Sequence, residues 1–483
     1  MQPPFLRRAR ILCLLPCLAI YAQDAGMVLR TSVSYTTQRA TLNLTDDQRR
    51  QADELARQAR EANQAQKYGE ALRRYYHGMA VMRNAPWTPA VEFAASLEGH
   101  LTHAMLEPGS KLTVSLRPLF TCQEADDANL TASVSLNEQV LAAKLPIDPS
   151  ALPFTAPITL PNLAPGDYSI QVRISGGGET PTSAFVKPLP FHLEALAADA
   201  NHLRDRLARM SKKPGAAATA EYALSLYDLA DRAEVNPHRY KFRDEFTAAN
   251  AILDSLDAGH DPFAGRRGDL RKAYRSAADQ TLQPYRLFIP TAYDGAKPTP
   301  LVIALHGMGG DENSMFDSYG SGALKREAER VGFLVACPKG RDSASMYRGS
   351  AEKDVLDVLA EVQRDYRIDA GRIYLMGHSM GGYGTWSVAI AHPDLFAALG
   401  PISGGGSPAG MAKISHIPEY VVHGDDDRTV NVSQSRQMVA AGKAAGAEIT
   451  YVEIPGGSHV SVVTPQFAPM LEFFAKQKKS AAR

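Results

Sequence analysis

The spacing of apolar residues changes several times along the chain, and each change marks a different architecture. From 48 to about 66, and again from 73 to 83, apolar positions recur at three- and four-residue steps, which predicts two amphipathic helices. Leu44-Thr45-Asp46-Asp47 reads as the start of the first, with acids in the opening turn, where a helix dipole favours them. Asn84-Ala85-Pro86-Trp87-Thr88-Pro89 breaks the pattern, and a short helix over 90–103 is expected to follow. From 109 to about 193 the period falls to two. The stretches 111–117, 130–136 and 168–174 alternate between Pro-, Gly-, Asn- and Asp-rich turns, as in a small β-sandwich.

Helical spacing returns over 194–279, with apolar steps at Leu203, Leu207 and Met210, at Tyr222, Leu226 and Leu229, and at Phe242, Phe246, Ile252 and Leu256. These read as packing stripes rather than a cofactor box, with Lys212-Lys213-Pro214-Gly215 and Asn236-Pro237 separating the helices. The stretch 261–268 reads as a linker. Beyond 283 the pattern becomes near-continuous apolar runs at 285–290, 301–306, 333–337, 372–376, 396–401, 420–423 and 450–454. Helical patterns lie between them near 314–331, 351–366, 383–392, 432–445 and 465–478. Strands apolar on both faces and alternating with helices predict an α/β domain with a mostly parallel sheet, covered on both sides. The expected division is 1–22 targeting segment, 23–106 helical, 107–194 β-sandwich-like, 195–280 helical linker and 281–483 α/β domain.

Composition narrows the picture. A chain of 483 residues is too long for one core, and 45% apolar with 22% charged residues is a globular balance. Lys and Arg total 52 and Asp and Glu total 52, so there is no electrostatic case for a nucleic-acid partner. No Walker loop, zinc-type Cys/His spacing or dinucleotide fingerprint is present, so no metal or cofactor is expected. At the N-terminus Arg7, Arg8 and Arg10 precede a ten-residue apolar run over 11–20, with Ala22 as a cleavage site. The run falls far short of the roughly twenty residues a membrane span needs, so a cleaved signal peptide and a secreted or periplasmic protein are expected. Leu14-Leu15-Pro16-Cys17 makes a poor lipoprotein box, because proline stands directly before the cysteine. Of the four cysteines, Cys13 and Cys17 leave with that segment; Cys122 and Cys337 are expected as separate buried thiols.

Candidate chemistry gathers in the last domain. Gly377-His378-Ser379-Met380-Gly381-Gly382 follows the run at 372–376 and precedes a helical stretch. A strand–turn–helix context makes Gly-x-Ser-x-Gly informative: the turn is too sharp for side chains on its flanks, and it lifts Ser379 Oγ clear of the backbone. A serine nucleophile needs a base, a group to orient that base, and donors for the developing negative charge. Among the 13 histidines, His459 lies in a loop after the last strand, overlooking the carboxyl ends of the strands. His306 and His423 close strands, His392 ends a helix, and His378 sits inside the turn with its side chain directed away from the nucleophile. Asp425, Asp426 and Asp427 follow another strand, and residue chemistry does not choose among them. His306-Gly307-Met308-Gly309-Gly310 follows the second strand, where small residues let Met308 N–H and Met380 N–H converge as an oxyanion pair.

These segments, with Pro401-Ile402-Ser403-Gly404-Gly405-Gly406, His423-Gly424 ahead of Asp427, and Gly457-Ser458-His459, resemble the α/β-hydrolases over 283 to about 476. The nearest branch resembles secreted esterases of the polyhydroxybutyrate-depolymerase and feruloyl-esterase type, whose relatives include predicted peptidases similar to prolyl oligopeptidase. The resemblance implies a triad of Ser379, Asp427 and His459, with Asp426 as second choice for the acid. It also implies an ester substrate and an acyl-enzyme route. Only 403–418 separates Pro401 from the next strand, too short for a lid domain, so an open site for a bulky or polymer-borne acyl group is expected. The alternatives are a prolyl-oligopeptidase-like serine peptidase and an envelope-docking protein with secondary hydrolase activity. Upstream, Lys67-Tyr68-Gly69-Glu70-Ala71-Leu72 with Ala80 resembles a tetratricopeptide-like hairpin, and 160–168 resembles the turn-to-strand stretch of immunoglobulin-like modules. Under the esterase reading, removal of everything before Gln280 is expected to leave turnover of a small soluble ester.

Overall fold

The computed structural model describes residues 25–122, 130–176, 186–210, 215–342 and 344–479; the expected targeting segment with Cys13 and Cys17 lies outside the described residues. The described residues fall into two compact units, one drawn from Met1–Glu98 and Pro118–Ala125, the other from Gly99–Arg117 and Asp126–Arg483.

The first unit is helical. Helices α1 (Ala25–Thr41), α2 (Asp46–Gln64), α3 (Tyr68–Met82) and α4 (Pro89–Ser96) follow one another. Thr45 and Gln48 form a reciprocal capping box that fixes the start of α2. Ala52, Leu55, Ala56, Ala59 and Ala62 are buried along one face of α2. Gly78 of α3 leaves room for the Tyr35 ring, since a Cβ there would stand 2.3 Å from the Tyr35 hydroxyl oxygen. Helix α1 was not expected: its Ser- and Thr-rich sequence has no strong apolar stripe, and Val28 and Tyr35 supply most of its buried face. The helix expected over 90–103 ends at Ser96, and strand β1 (Leu97–Leu101) takes its place.

In the second unit, β1 leads a three-stranded sheet of order β1-β3-β6, with β3 at Leu112–Pro118 and β6 at Phe154–Ile158. A five-stranded sheet has the order β2-β8-β7-β4-β5, from β2 (Met105–Leu106), β4 (Leu130–Leu136), β5 (Gln139–Pro146), β7 (Gly166–Gly176) and β8 (Val186–Leu193). Alternation is clearest in β4, where Leu130, Ala132, Val134 and Leu136 are buried and the residues between them are not. Helices α5 (Ala197–Arg209), α6 (Ala217–Asp231) and α7 (Phe242–Asp257) follow, burying Leu203, Leu207, Tyr222, Leu226, Phe242, Phe246 and Ile252 as the spacing requires.

The α/β region is built on an eight-stranded sheet of order β16-β15-β14-β13-β11-β12-β10-β9. Its strands are β9 (Gly268–Arg275), β10 (Leu282–Ile289), β11 (Thr299–Leu305), β12 (Leu334–Pro338), β13 (Ile368–His378), β14 (Ala398–Ile402), β15 (Glu419–Gly424) and β16 (Ile449–Ile454). Strands β11 to β16 pair in parallel, while β9 and β10 add an antiparallel hairpin at one edge. Helices α8 (Ser314–Asp317), α9 (Ala323–Val331), α10 (Ser350–Asp365), α11 (Met380–Ala391), α12 (Ser433–Ala444) and α13 (Phe467–Ala475) lie between and after them. Successive side chains serve opposite faces: Leu301, Ile303 and Leu305 enter one core, Val302 and Ala304 the other.

Three expectations give way here. The stretch 268–275, expected as linker and helix, is strand β9, pairing along its whole length with β10. The helix expected over 314–331 is two helices, broken where Gly320 and Gly322 adopt positive φ of 65° and 87°. Finally, one continuous core runs from Leu196 through α6 and α7 to Leu305, Trp386 and Val439. Helices α5 to α7 and strand β9 are therefore part of the core of the α/β region, and a chain cut at Gln280 loses an edge strand and several core helices.

Candidate active site

Strand β11 has β12 on one side and β13 on the other, so the direction of winding reverses at β11 and β13. In open α/β sheets such a reversal leaves a crevice beyond the carboxyl ends of the strands. Ser379 leaves β13 at that crevice, and His306 to Gly310 leaves β11 beside it.

Ser379 has φ 57° and ψ −116°, a strained conformation for a residue with a side chain. Its surroundings hold it there. Ser379 N–H donates to Ile402 O at 2.9 Å, and Ser379 O accepts from Tyr383 N–H at 3.0 Å. The flanking glycines are required by contact: a Cβ on Gly377 would meet Gly381 O at 2.4 Å, and one on Gly381 would meet Leu305 O at 2.2 Å. Met380 is the first residue of α11, so its N–H has no acceptor within that helix. Gly307 brings the β11 loop against the turn, a Cβ there standing 3.4 Å from Ser379 Cβ. His306 anchors that loop, with Nδ1 2.8 Å from Gly307 O and Nε2 2.7 Å from Lys339 O. Met308 follows directly and is half-buried. The loop is also braced from the helical segment: Arg239 pairs with Asp311 at 2.8 Å, and Tyr222 hydroxyl donates to the buried Glu312 at 3.3 Å.

His459 Nε2 lies 2.9 Å from Ser379 Oγ, and His459 Nδ1 lies 2.7 Å from Asp427 Oδ2. The three aspartates that residue chemistry left open are separated by position. Asp425 Oδ1 accepts from Gly456 N–H at 2.6 Å, and Asp426 is exposed and faces Arg428 at 3.1 Å. Asp427 is buried, and its second oxygen accepts from Thr429 N–H at 2.8 Å and Val430 N–H at 2.9 Å. Burial acts to raise its pKa, but hydrogen bonds from His423 and His459 outweigh that and hold the carboxyl well below the usual carboxylate range. Asp427 is thus an anion fixed against the far side of the imidazole.

Two histidines that residue chemistry left without a role touch this array. His423 Nε2 stands 3.1 Å from Asp427 Oδ2 and its Nδ1 2.7 Å from Ser435 Oγ. His378 Nε2 donates to His459 O at 2.8 Å. Their place beside an aspartate strand-end and inside the nucleophile turn was the only available signal: His423 stands four residues before Asp427, while the partner of His378 is 81 residues downstream. Among the described residues no group of three or more His, Cys, Asp or Glu is disposed to hold a metal ion, and no helix is long and apolar enough to cross a membrane. Cys122 and Cys337 are free thiols, the second buried and the first half-buried.

Comparison with known proteins finds these likenesses. The prolyl oligopeptidase family matches residues 345–415. A probable feruloyl esterase C of Aspergillus oryzae is 31% identical over 228 residues, which is 44% of this chain and 80% of that protein. A bifunctional acetylxylan esterase/xylanase of Neocallimastix patriciarum is 31% identical over 142 residues, 29% of this chain and 21% of that protein. Among solved structures, the feruloyl esterase module from Clostridium thermocellum, as an S954A mutant complexed with sinapinate, matches at 17% identity and TM-score 0.38, covering 44% of this chain and 90% of that one.

Proposed function

We propose that this chain, which belongs to the α/β-hydrolase esterases of the feruloyl-esterase type, hydrolyses carboxylic esters through an acyl-enzyme intermediate on Ser379. The observation that carries the proposal is the continuous hydrogen-bonded file from Asp427 through His459 to Ser379, at 2.7 and 2.9 Å. Each member has one job. Ser379 Oγ attacks the ester carbonyl carbon as His459 Nε2 takes its proton, and the carbonyl oxygen becomes an anion. Met308 N–H and Met380 N–H are the donors for that anion; loss of one such donor typically costs ~2.7–4 kcal/mol of transition-state stabilisation. The carbon–oxygen bond to the alcohol breaks, and the alcohol departs with the proton held by His459. Water then repeats the sequence: His459 takes one proton, hydroxide adds to the acyl carbon, and Ser379 leaves with the proton as the acid is released. Asp427, held as an anion, stabilises the imidazolium at both stages.

The names of the relatives favour aromatic or acetyl acyl groups on a polysaccharide, and the 403–418 connection, without room for a lid domain, is compatible with a polymer-borne ester. Together with the Arg-led apolar start of the chain, this favours a protein exported to its substrate. A second reading, peptide hydrolysis with the same residues, draws on the match to the prolyl oligopeptidase family over 345–415. A panel of acetyl, butyryl and feruloyl esters with a peptide anilide, run with Ser379→Ala as the blank, separates them. Ester turnover that vanishes in the variant is expected. Anilide cleavage exceeding every ester would transfer the assignment to the peptidases.

A further inference from the structure

The loop carrying His459 leaves Ile454 through Pro455-Gly456-Gly457, where Gly456 N–H donates to Asp425 Oδ1 at 2.6 Å and Gly457 O accepts from Asp426 N–H at 3.1 Å, and those ties end two residues before His459. An imidazole in such a loop needs more than its carboxylate partner to fix it, because one hydrogen bond to Nδ1 leaves the ring free to swing with the main chain. Two side chains hold the His459 carbonyl: His378 Nε2 at 2.8 Å and Ser403 Oγ at 3.4 Å. The first is the shorter and comes from the residue directly before the nucleophile. His378 is itself held from behind, its Nδ1 2.7 Å from the Tyr319 hydroxyl. Tyr319 lies between α8 and α9 and packs edge-on against both His378, at 5.3 Å between ring centres, and Phe467, at 6.5 Å.

We propose that Tyr319 and His378 form a positioning relay for the base, the tyrosine hydroxyl fixing the His378 ring so that its Nε2–H anchors the His459 main chain within reach of Ser379. The direction of each bond follows from chemistry. A backbone carbonyl only accepts, so His378 Nε2 carries a hydrogen. Burial, and next the charge His459 acquires, keep His378 from taking a second proton, holding its pKa down at about 3. Its Nδ1 is therefore a bare acceptor, and Tyr319 must donate to it. Burial pushes the Tyr319 hydroxyl up to about 12, so that proton is retained. The neutrality has a second consequence. The two imidazole rings are 4.7 Å apart and inclined at 50°, so an uncharged His378 spares the His459 imidazolium a like charge at close range.

The relay deepens the esterase reading and rests on it, and it predicts a division between rate and binding. Misplacement of a reacting group by about 1 Å can cost roughly 10²-fold in rate. His378→Leu keeps the bulk and loses the donor, so kcat on p-nitrophenyl acetate is expected to fall at least about tenfold while KM stays within about twofold. His378→Gln restores an amide N–H without charge and is expected to recover most of that loss. Tyr319→Phe keeps the packing and frees the His378 ring, and a smaller fall in kcat at constant KM is expected. Thermal unfolding of each full-length variant separates this from simple destabilisation. A folded His378→Leu protein with wild-type kcat overturns the relay while leaving the esterase reading intact. Equal kcat for the Leu and Gln variants also overturns it. If His378→Leu fails to fold, a wild-type kcat in Tyr319→Phe overturns it, and a reduced kcat at unchanged KM supports it. Absence of ester turnover in the wild-type protein overturns both readings together.

Discussion

Glu419 offers the sharpest physical test of the fold around the site. It opens β15, the strand that leads to Asp427, and its side chain is fully buried against α11, the helix that follows Ser379. Trp386 Nε1 of α11 donates to Oε2 at 2.8 Å, while Oε1 has no hydrogen-bond partner among the described residues. Burial pushes the Glu419 carboxyl from 4.5 up to about 7, against the smaller opposing pull of the Trp386 hydrogen bond. A carboxyl raised in the native state stays protonated there after the unfolded chain has released its proton. Its stabilising contribution is therefore complete below pH 4.5 and is lost as pH rises through about 7. A shift of this size corresponds to roughly 3 kcal/mol, most of it between pH 5 and 8. Glu419→Gln replaces the protonated acid with a group of the same shape that does not titrate. Its stability relative to wild type should start near equality at pH 5 and rise by roughly 2–3 kcal/mol by pH 9. The protein has two tryptophans, so a Trp87→Phe background leaves Trp386, the hydrogen-bond partner itself, as the fluorescent reporter of urea unfolding. A stability difference that is constant across that pH range would refute the reasoning.

Other expectations follow from the geometry. Asp427→Asn should lower kcat by about 10⁴-fold through the wrong imidazole tautomer, whereas exposed Asp426→Asn should leave ester turnover near wild type. Steady-state kinetics on one ester distinguishes them, and the reverse order would move the acid to Asp426. Gly381→Ala forces a Cβ to 2.2 Å from Leu305 O, a backbone atom that has little freedom to retreat, and should cost about 1–3 kcal/mol or more by thermal unfolding. A chain starting at Gln280 lacks β9 and the α5–α7 part of the core, and should be insoluble or inactive on p-nitrophenyl acetate. Wild-type turnover by that fragment would show that the helical segment is dispensable.

The central strands and the order of chemistry-bearing loops were legible in the sequence because parallel strands buried on both faces appear as uninterrupted apolar runs. Of Ser379, Asp427 and His459, selected from turn chemistry and resemblance, His459 stands within hydrogen-bond distance of both others. Strand β9 was not legible. Gly268-Asp269-Leu270-Arg271-Lys272-Ala273-Tyr274-Arg275 carries charges that no local pattern balances. In the fold Arg271 meets Glu245 at 2.6 Å, Lys272 meets Asp365 at 2.7 Å, Arg275 meets Glu221 at 2.5 Å, and Asp269 pairs with Arg286. Each partner comes from another element, so the compensation exists only in three dimensions. The same holds for His378, whose acceptor lies 81 residues downstream, and for His423, whose environment depends on a serine of α12. Among the three aspartates, burial separates one from two, and burial is a property of the folded loop rather than of its composition.

The central claim is that one hydroxyl, Ser379 Oγ, carries the acyl group. Treatment of the full-length protein with a fluorophosphonate probe, followed by intact-mass measurement and peptide mapping, tests it most directly. A single adduct on the peptide containing Ser379, absent from Ser379→Ala, is the predicted result. An adduct on another residue, or ester turnover by Ser379→Ala at the wild-type rate, would contradict the account.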